Sequence, residues 1–107
     1  MRKYLIDNMT NGWFIGPFEP SCFKTEMFEC ALKKYKAGQK EKRHFHKKAT
    51  EFTLIVNGVV IMNGEKYSNG TIIEIEPNES TDFEAITDVI TMVVKVPGVI
   101  GDKYEIG

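Results

Sequence analysis

The sequence predicts a single all-β domain from three observations: its length, its turn chemistry and its short strand-like runs. A chain of 107 residues has room for one hydrophobic core. Asn-Gly, which supplies the positive φ angles of tight hairpin turns, recurs at six-residue spacing at Asn57-Gly58, Asn63-Gly64 and Asn69-Gly70. Helix signals are scarce. Several short strands separated by turn residues are typical of a β-sandwich or barrel.

Strands are predicted where apolar and polar residues alternate, or where apolar residues run together. Phe28, Cys30 and Leu32 fall on one face of a strand, so Cys30 is expected to be a buried apolar residue. The segment 89–96 is almost wholly apolar, as in a strand that is buried on both faces. The predicted strands span residues 27–36, 43–48, 51–56, 59–62, 65–68, 71–76 and 89–96.

The two ends of the chain are expected to differ. Residues 1–22 form an aromatic arm interrupted by prolines, which includes Trp13 and Phe18. This arm is expected to pack across the barrel or across a partner subunit, or to be a plain N-terminal strand over the core. Since a small barrel leaves sheet edges open and the arm is apolar enough to cover one, we expect a homodimer. Residues 101–104, after Pro97 and Gly98, are predicted to be a surface tail.

Charge and composition restrict the partners and the compartment. The net charge is −1, but residues 33–48 carry eight basic residues against one acid, Glu41. The favoured interpretation is a solvated hairpin whose lysines protect an edge strand, and an anionic small molecule is the alternative. Nucleic acid would need a more basic domain. Since no secretory signal and no apolar run of the ~20 residues that a membrane span needs is present, we expect a cytoplasmic protein.

The only two histidines lie two positions apart in a regular pattern. Five residues separate Gly38 from His44, and His46 follows two positions later. Four residues separate His46 from Glu51, and six separate Glu51 from Gly58. Side chains at i and i+2 of a strand point to the same face, so both imidazoles would project together. Two imidazoles and a carboxylate suit a first-row transition metal and leave coordination positions open.

This pattern, at residues 38–58, resembles the first motif of the cupins, Gly-x5-His-x-His-x4-Glu-x6-Gly, at every fixed position. The resemblance implies a small double-stranded β-helix, a jelly-roll barrel, occupying the whole chain as one domain, residues 1–107. It also implies that His44, His46 and Glu51 point into the barrel and bind one divalent transition metal: Fe, Mn, Ni or Zn.

The second cupin motif, Gly-x5-Pro-x-Gly-x2-His-x3-Asn, is degenerate at residues 70–85, where only Gly70 is retained. Asn78 replaces the second glycine and can still accept a left-handed conformation. Thr81 replaces the histidine and is a poor metal ligand, whereas Asp82 should face the other way. The three remaining ligands would match the 2-His-1-carboxylate arrangement of non-haem iron oxygenases. The alternative is a metal site that is decaying.

The resemblance leaves two functions open. One is a metal-dependent enzyme, an oxygenase or isomerase, whose metal acts as a Lewis acid or binds substrate and O2 together. The other is a non-catalytic module that binds a small acidic or hydroxylated ligand. A purely structural barrel would not need the three ligands at this spacing. Catalytic residues are not assigned. By alternation, the pocket lining is predicted to include Thr53, Ile55, Thr81 and Phe83.

Overall fold

The computed structural model describes residues 1–106, which form two sheets of short strands. Each of the two 3-10 helices, Ile6–Asn8 and Thr10–Gly12, spans three residues, and no helix in this range is long and apolar enough to cross a membrane. The strands are β1 (Trp13–Gly16), β2 (Phe23–Lys24), β3 (Glu29–Tyr35), β4 (Lys40–Phe45), β5 (Thr50–Asn57), β6 (Val60–Met62), β7 (Glu65–Tyr67), β8 (Ile72–Ile75), β9 (Thr81–Ala85), β10 (Val89–Val96) and β11 (Tyr104–Glu105).

The two sheets enclose the core between them. One sheet has six strands in the order β2-β1-β3-β10-β5-β8, and the other has five in the order β11-β4-β9-β6-β7. All pairs are antiparallel except β1 with β2. The core cluster draws from both sheets and consists of Ile55, Val60, Met62, Ile75, Phe83, Ala85 and Val89. The predicted all-β fold is therefore confirmed.

The three regularly spaced Asn-Gly pairs form two kinds of connection: one hairpin within a sheet and two crossings between the sheets. Asn63 and Gly64 have φ angles of 49° and 78°, which is the type I′ pattern, and they join β6 to β7 as a hairpin. Asn57-Gly58 and Asn69-Gly70 instead connect strands of different sheets, β5 to β6 and β7 to β8. The chain therefore crosses between the sheets at these two pairs.

The expectation that residues 89–96 are buried on both faces is wrong. Along β10, Val89, Thr91 and Val93 are buried, and the residues between them are only half-buried. The face that lines the space between the sheets carries Thr91 and Lys95, whereas the other face carries Ile90, Met92 and Val94. The interior face of β10 therefore combines the apolar Val89 and Val93 with the polar Thr91 and the charged Lys95.

Both ends of the chain pack on their own barrel. β1 pairs with β3, so the segment from Trp13 to Gly16 is a strand of the six-stranded sheet. The predicted surface tail at 101–104 is wrong. Asp102 is only 6% exposed, and β11 immediately after it pairs with β4. Cys22 and Cys30 are free thiols, and Cys30 is buried as expected.

Candidate metal centre

Both histidines are oriented by hydrogen bonds to backbone carbonyls. His44 Nδ1 lies 2.9 Å from the carbonyl oxygen of Lys42, and His46 Nδ1 lies 2.7 Å from that of Asp102. Since a carbonyl oxygen only accepts, each Nδ1 carries the proton and donates it. A neutral imidazole in this tautomer has its free lone pair on Nε2, which is the usual orientation of a metal-binding histidine.

Glu51 supplies the anionic group beside the two rings. Its Oε1 is 3.2 Å from His46 Nε2, and its Oε2 accepts a hydrogen bond of 3.0 Å from the Thr53 hydroxyl. The side chain is 13% exposed. Burial opposes ionisation, but a hydrogen bond from His46 Nε2, formed when that nitrogen carries a proton, and the positive charge of Lys95 outweigh it, so the pKa of the Glu51 carboxyl lies below its usual value.

The three side chains fit a transition metal. One ligand atom from each of His44, His46 and Glu51 lies within 4.8 Å of the others. Donors at about 2.1 Å from a shared metal are separated by roughly 3–4 Å, so a small inward movement would suffice. With Nδ1 already donating, the lone pair of His46 Nε2 faces a carboxylate oxygen. This pairing is favourable only when a proton or a metal cation lies between the two atoms.

Asp102 fixes the loop between the two histidines and Glu51. Its carboxylate accepts hydrogen bonds from the backbone N–H groups of Lys47, Lys48 and Ala49 at 3.0–3.3 Å. Burial raises the pKa of this carboxyl, but the three donors more than offset it, and the pKa lies below the usual value. The same residue holds the His46 ring through its carbonyl. Sequence reasoning missed Asp102 because nothing local distinguishes it.

Asn78 holds the His46 backbone from the other side. Its φ of 72° is the left-handed conformation that was predicted for the position of the missing glycine. In this conformation the Asn78 N–H donates to the His46 carbonyl at 2.6 Å. His46 follows directly after β4 and is therefore held by two long-range contacts rather than by sheet pairing.

A cavity of about 370 Å³ opens beside these ligands. Of the residues proposed for the lining, Thr53, Thr81 and Phe83 border it. Ile55 does not: it is fully buried in the core cluster, because β5 passes from the cavity wall into the packed interior. Trp13 and Phe18 of the N-terminal arm also line the cavity. The volume suits a small organic molecule.

No family model matches the chain, and no curated protein matches it in sequence. Solved structures with the same fold do exist. An uncharacterised conserved protein with a double-stranded β-helix domain from Klebsiella pneumoniae superposes with a TM-score of 0.69 at 18% identity, covering 76% of this chain and 71% of that chain. The chain has the cupin fold.

Two further cupin-fold structures superpose comparably. The bacterial pirin YhhW in complex with nickel(II) from Escherichia coli gives a TM-score of 0.68 at 16% identity, covering 82% of this chain and 39% of that chain. The DMSP lyase DddQ from Ruegeria pomeroyi gives 0.66 at 17% identity, covering 83% and 46%. At such low identities the similarity shows the cupin fold and leaves the activity of this chain open.

The degenerate second motif of this cupin fold places Thr81 beside the ligands. Thr81 is the direct cross-strand partner of His44, and its side chain is buried against the cavity. Its hydroxyl donates to the carbonyl of Asp82 at 2.7 Å. Asp82 points away, as expected, because its carboxylate accepts from the Asn63 N–H at 2.8 Å and lies 3.5 Å from Arg43.

Two lysines of the cavity wall were also missed. Lys33 and Lys95 line the cavity opposite the five-stranded sheet. Lys95 interrupts the otherwise apolar run at 89–96, and that interruption was the available signal. Lys33 was interpreted as part of a solvated basic hairpin, but it is half-buried, and burial lowers the pKa of its ammonium group.

Proposed function

We propose that this chain is a metal-binding cupin-fold protein that acts on a small organic molecule in its cavity, as an oxygenase or isomerase. His44, His46 and Glu51 would hold one divalent transition metal. The observation that carries the proposal is the orientation of the two imidazoles, whose Nδ1 atoms donate to carbonyls and whose Nε2 atoms are thereby left to bind metal. The bound metal would supply Lewis acidity or a joint site for substrate and O2.

The surrounding residues support this function. Thr53 holds one oxygen of Glu51, so the other oxygen is directed toward His46. Thr81 is too short to replace the missing ligand, and the side of the metal nearest to it would stay open. Phe83 contributes an apolar wall to one side of the cavity. Cupin-fold structures that carry nickel or are named as a lyase are consistent with the proposal.

Metal analysis of the purified protein tests the proposal directly. The protein would be purified without chelator, and its uptake of Fe, Mn, Ni and Zn would be measured by equilibrium dialysis. We expect one metal per chain, and loss of tight binding in His46→Gln and Glu51→Gln. Glu74→Gln is the matched control, since this glutamate is exposed on β8. Absence of metal uptake in the unmodified protein contradicts the proposal.

Turnover measurements separate an enzyme from a binding module. Oxygen uptake and product formation would be followed with candidate substrates on the metal-loaded protein. Turnover that requires O2 supports an oxygenase, and turnover without O2 supports an isomerase or lyase. Metal-dependent ligand binding with no turnover for any candidate would favour the non-catalytic module instead.

A further inference from the structure

Two ammonium groups meet one aromatic ring at the cavity wall formed by β1, β3 and β10. Lys33 Nζ lies 5.5 Å and Lys95 Nζ lies 4.8 Å from the centroid of the Trp13 ring. Trp13 pairs with Ala31, which lies between the positions of the two lysines on the sheet. All three side chains line the same cavity as His44 and Glu51. The ring thus holds both positive charges toward the interior.

Neither ammonium group lies within salt-bridge distance of a carboxylate among residues 1–106. The salt bridges among residues 1–106 join Lys24 to Glu19 and Arg43 to Asp82, and the His46–Glu51 contact would be a third only with a protonated imidazole. None of these includes a cavity lysine. The acids that flank Lys95 on the sheet are Glu29 and Glu51.

Both flanking acids have other partners. Glu29 Oε2 accepts the Val99 N–H at 2.8 Å, and Glu51 is held by His46 and Thr53. Glu41 also lines the cavity. Burial of Lys33 lowers the pKa of its ammonium group by more than the negative charge of Glu41 raises it. Burial disfavours the charged form of such a lysine, and an anion bound beside it stabilises that form.

A third polar group in the same wall lacks a partner. Thr91 lines the cavity directly across from Lys33 in the β3–β10 register, and it is 1% exposed. Its hydroxyl oxygen is buried without a hydrogen-bond partner within residues 1–106. Unpaired buried hydroxyls are uncommon in folded proteins, and a bound ligand oxygen is one way to satisfy such a group.

We propose that Lys33 and Lys95 form a carboxylate-binding subsite, and that the molecule held in this cavity is a small organic acid. Its carboxylate lies on the lysine pair near Thr91, and its other end faces His44 and Glu51. The cavity of about 370 Å³ is at the small end of ligand pockets, which suits an acid of a few carbons. The carboxylate-binding subsite is argued from the two lysines and Thr91 alone. Only the placement of the molecule's other end, at the metal ligands, rests on the proposed function.

Binding of malonate, measured by titration calorimetry, tests the subsite. Dimethyl malonate serves as the uncharged analogue and inorganic phosphate as the competing anion class. We expect malonate binding that weakens with added salt, and much weaker binding of both other probes. Equal binding of dimethyl malonate overturns the charge recognition. Phosphate that binds as tightly as malonate overturns the assignment to a carboxylate.

Three variants and one matched control locate the subsite. Lys33→Met and Lys95→Met keep the side-chain length and remove the charge, and each is expected to weaken malonate binding about tenfold or more. Lys34→Met is the control, because it is exposed on the opposite face of the same strand. Unchanged affinity in both cavity variants, or an equal loss in the control, contradicts the proposal. If either methionine variant misfolds, the corresponding glutamine variant replaces it.

Thr91→Val adds a readout that a merely structural role would not give. Removing an unpaired hydroxyl is expected to raise the melting temperature of the ligand-free protein while it weakens malonate binding several-fold. A lower melting temperature would show that the hydroxyl has a partner in the protein, and would remove Thr91 from the subsite.

Repeating the titrations with chelator-treated and metal-loaded protein separates the two proposals. Lysine-dependent malonate binding that persists without metal supports the subsite even if the metal proposal fails. Metal uptake with malonate binding that is indifferent to both lysines leaves the proposed function standing and overturns the subsite.

Discussion

The two faces of the six-stranded sheet differ in polarity beside the cavity, where the inner face carries charged residues and the outer face carries an apolar row. On the face toward the cavity, cross-strand neighbours form the row Glu29–Lys95–Glu51 and the pair Lys33–Thr91. On the opposite face, one cross-strand row consists of Leu32, Met92, Leu54 and Ile72. Antiparallel sheets usually place apolar residues inward and polar residues toward solvent. Here four charged residues, Glu29, Lys33, Glu51 and Lys95, lie inward, beside the candidate site.

The apolar outer row is only partly covered by its own chain. The N-terminal segment reaches the end of the row at Leu32 and Met92, where Leu5 and Ile6 border the same groove. At the other end Ile72 is 65% exposed. Because Trp13 and Phe18 line the cavity of their own chain, the arm is engaged there. The outer row is therefore the surface on which we expect the homodimer to form, since contiguous exposed apolar patches commonly mark interfaces.

Glu51 and Phe52 are neighbours on β5 that face opposite sides of the sheet. Their substitution is expected to give the largest difference in metal affinity. Glu51→Ala removes the only anionic ligand, so we expect metal affinity to fall by more than the roughly 10–100-fold that loss of a ligand-supporting residue costs. Phe52→Ala, on the outer face, should leave metal affinity unchanged. Equilibrium dialysis with a competing chelator measures both. Equal losses in the two variants would show that the inner face has no special role.

Asp102→Ala should destabilise the ligand loop, the segment 47–49 that connects His46 to the strand carrying Glu51. Three backbone N–H groups lose a charged acceptor, and we expect a loss of about 2–4 kcal/mol in the free energy of unfolding by urea. Asp88→Asn is the control, since the Asp88 carboxylate accepts a single backbone N–H, that of Ala37, at an exposed site. A loss of stability equal to that of the control would show that the three hydrogen bonds to Asp102 do not stabilise this loop.

The acid dependence of unfolding gives a second measure of Asp102. Its pKa is lowered in the folded state, so its stabilisation is complete above the unfolded value near 3.8 and is lost as the pH falls through the folded value. Asp102→Asn should therefore lose stability at pH 7 and show a flatter decline below pH 4, measured by urea melts across that range. An unchanged acid decline would mean that other carboxyls control it.

Ile72→Glu places a charge on the exposed end of the outer row. We expect the unmodified chain to scatter light as a species of twice 12.2 kDa at micromolar concentration, and the variant to dissociate about tenfold more readily. Ile86→Glu, which lies outside the sheet and is 40% exposed, is the control. A mass near 12.2 kDa for the unmodified chain would contradict the dimer.

Thr81→His is expected to have the smallest effect. An imidazole beside His44 would complete a four-ligand set, tighten metal binding several-fold and reduce access for azide or small carboxylates. Metal titration and azide binding followed by absorption measure the two changes. If neither changes, Thr81 does not face the metal and the three-ligand arrangement is wrong.

Features formed by residues that lie close together in the sequence were predictable, whereas features formed by distant residues were not. His44, His46 and Glu51 lie within eight residues, so a strand period and a fixed spacing suffice to bring them together. Asn78 was predictable because its left-handed φ is a local property of the residue type. Both inferences depend on segments shorter than one hairpin.

The remaining features depend on which strands become neighbours. Lys33, Trp13 and Lys95 meet only because β1, β3 and β10 are adjacent, an order that no local pattern encodes. β11 has two residues and no alternation to detect. An apolar run such as 89–96 also cannot reveal which of its faces will line a cavity.

The contact between the His46 ring and the carbonyl of Asp102 joins residues that are 56 positions apart. A nascent chain therefore exposes both histidines and Glu51 long before the group that orients the His46 ring has been synthesised. Until residue 102 has left the ribosome and docked, the imidazole is free to rotate and the ligand loop lacks its acceptor. Metal capture would then follow closure of the barrel, and early metal contacts during synthesis would be weak and exchangeable.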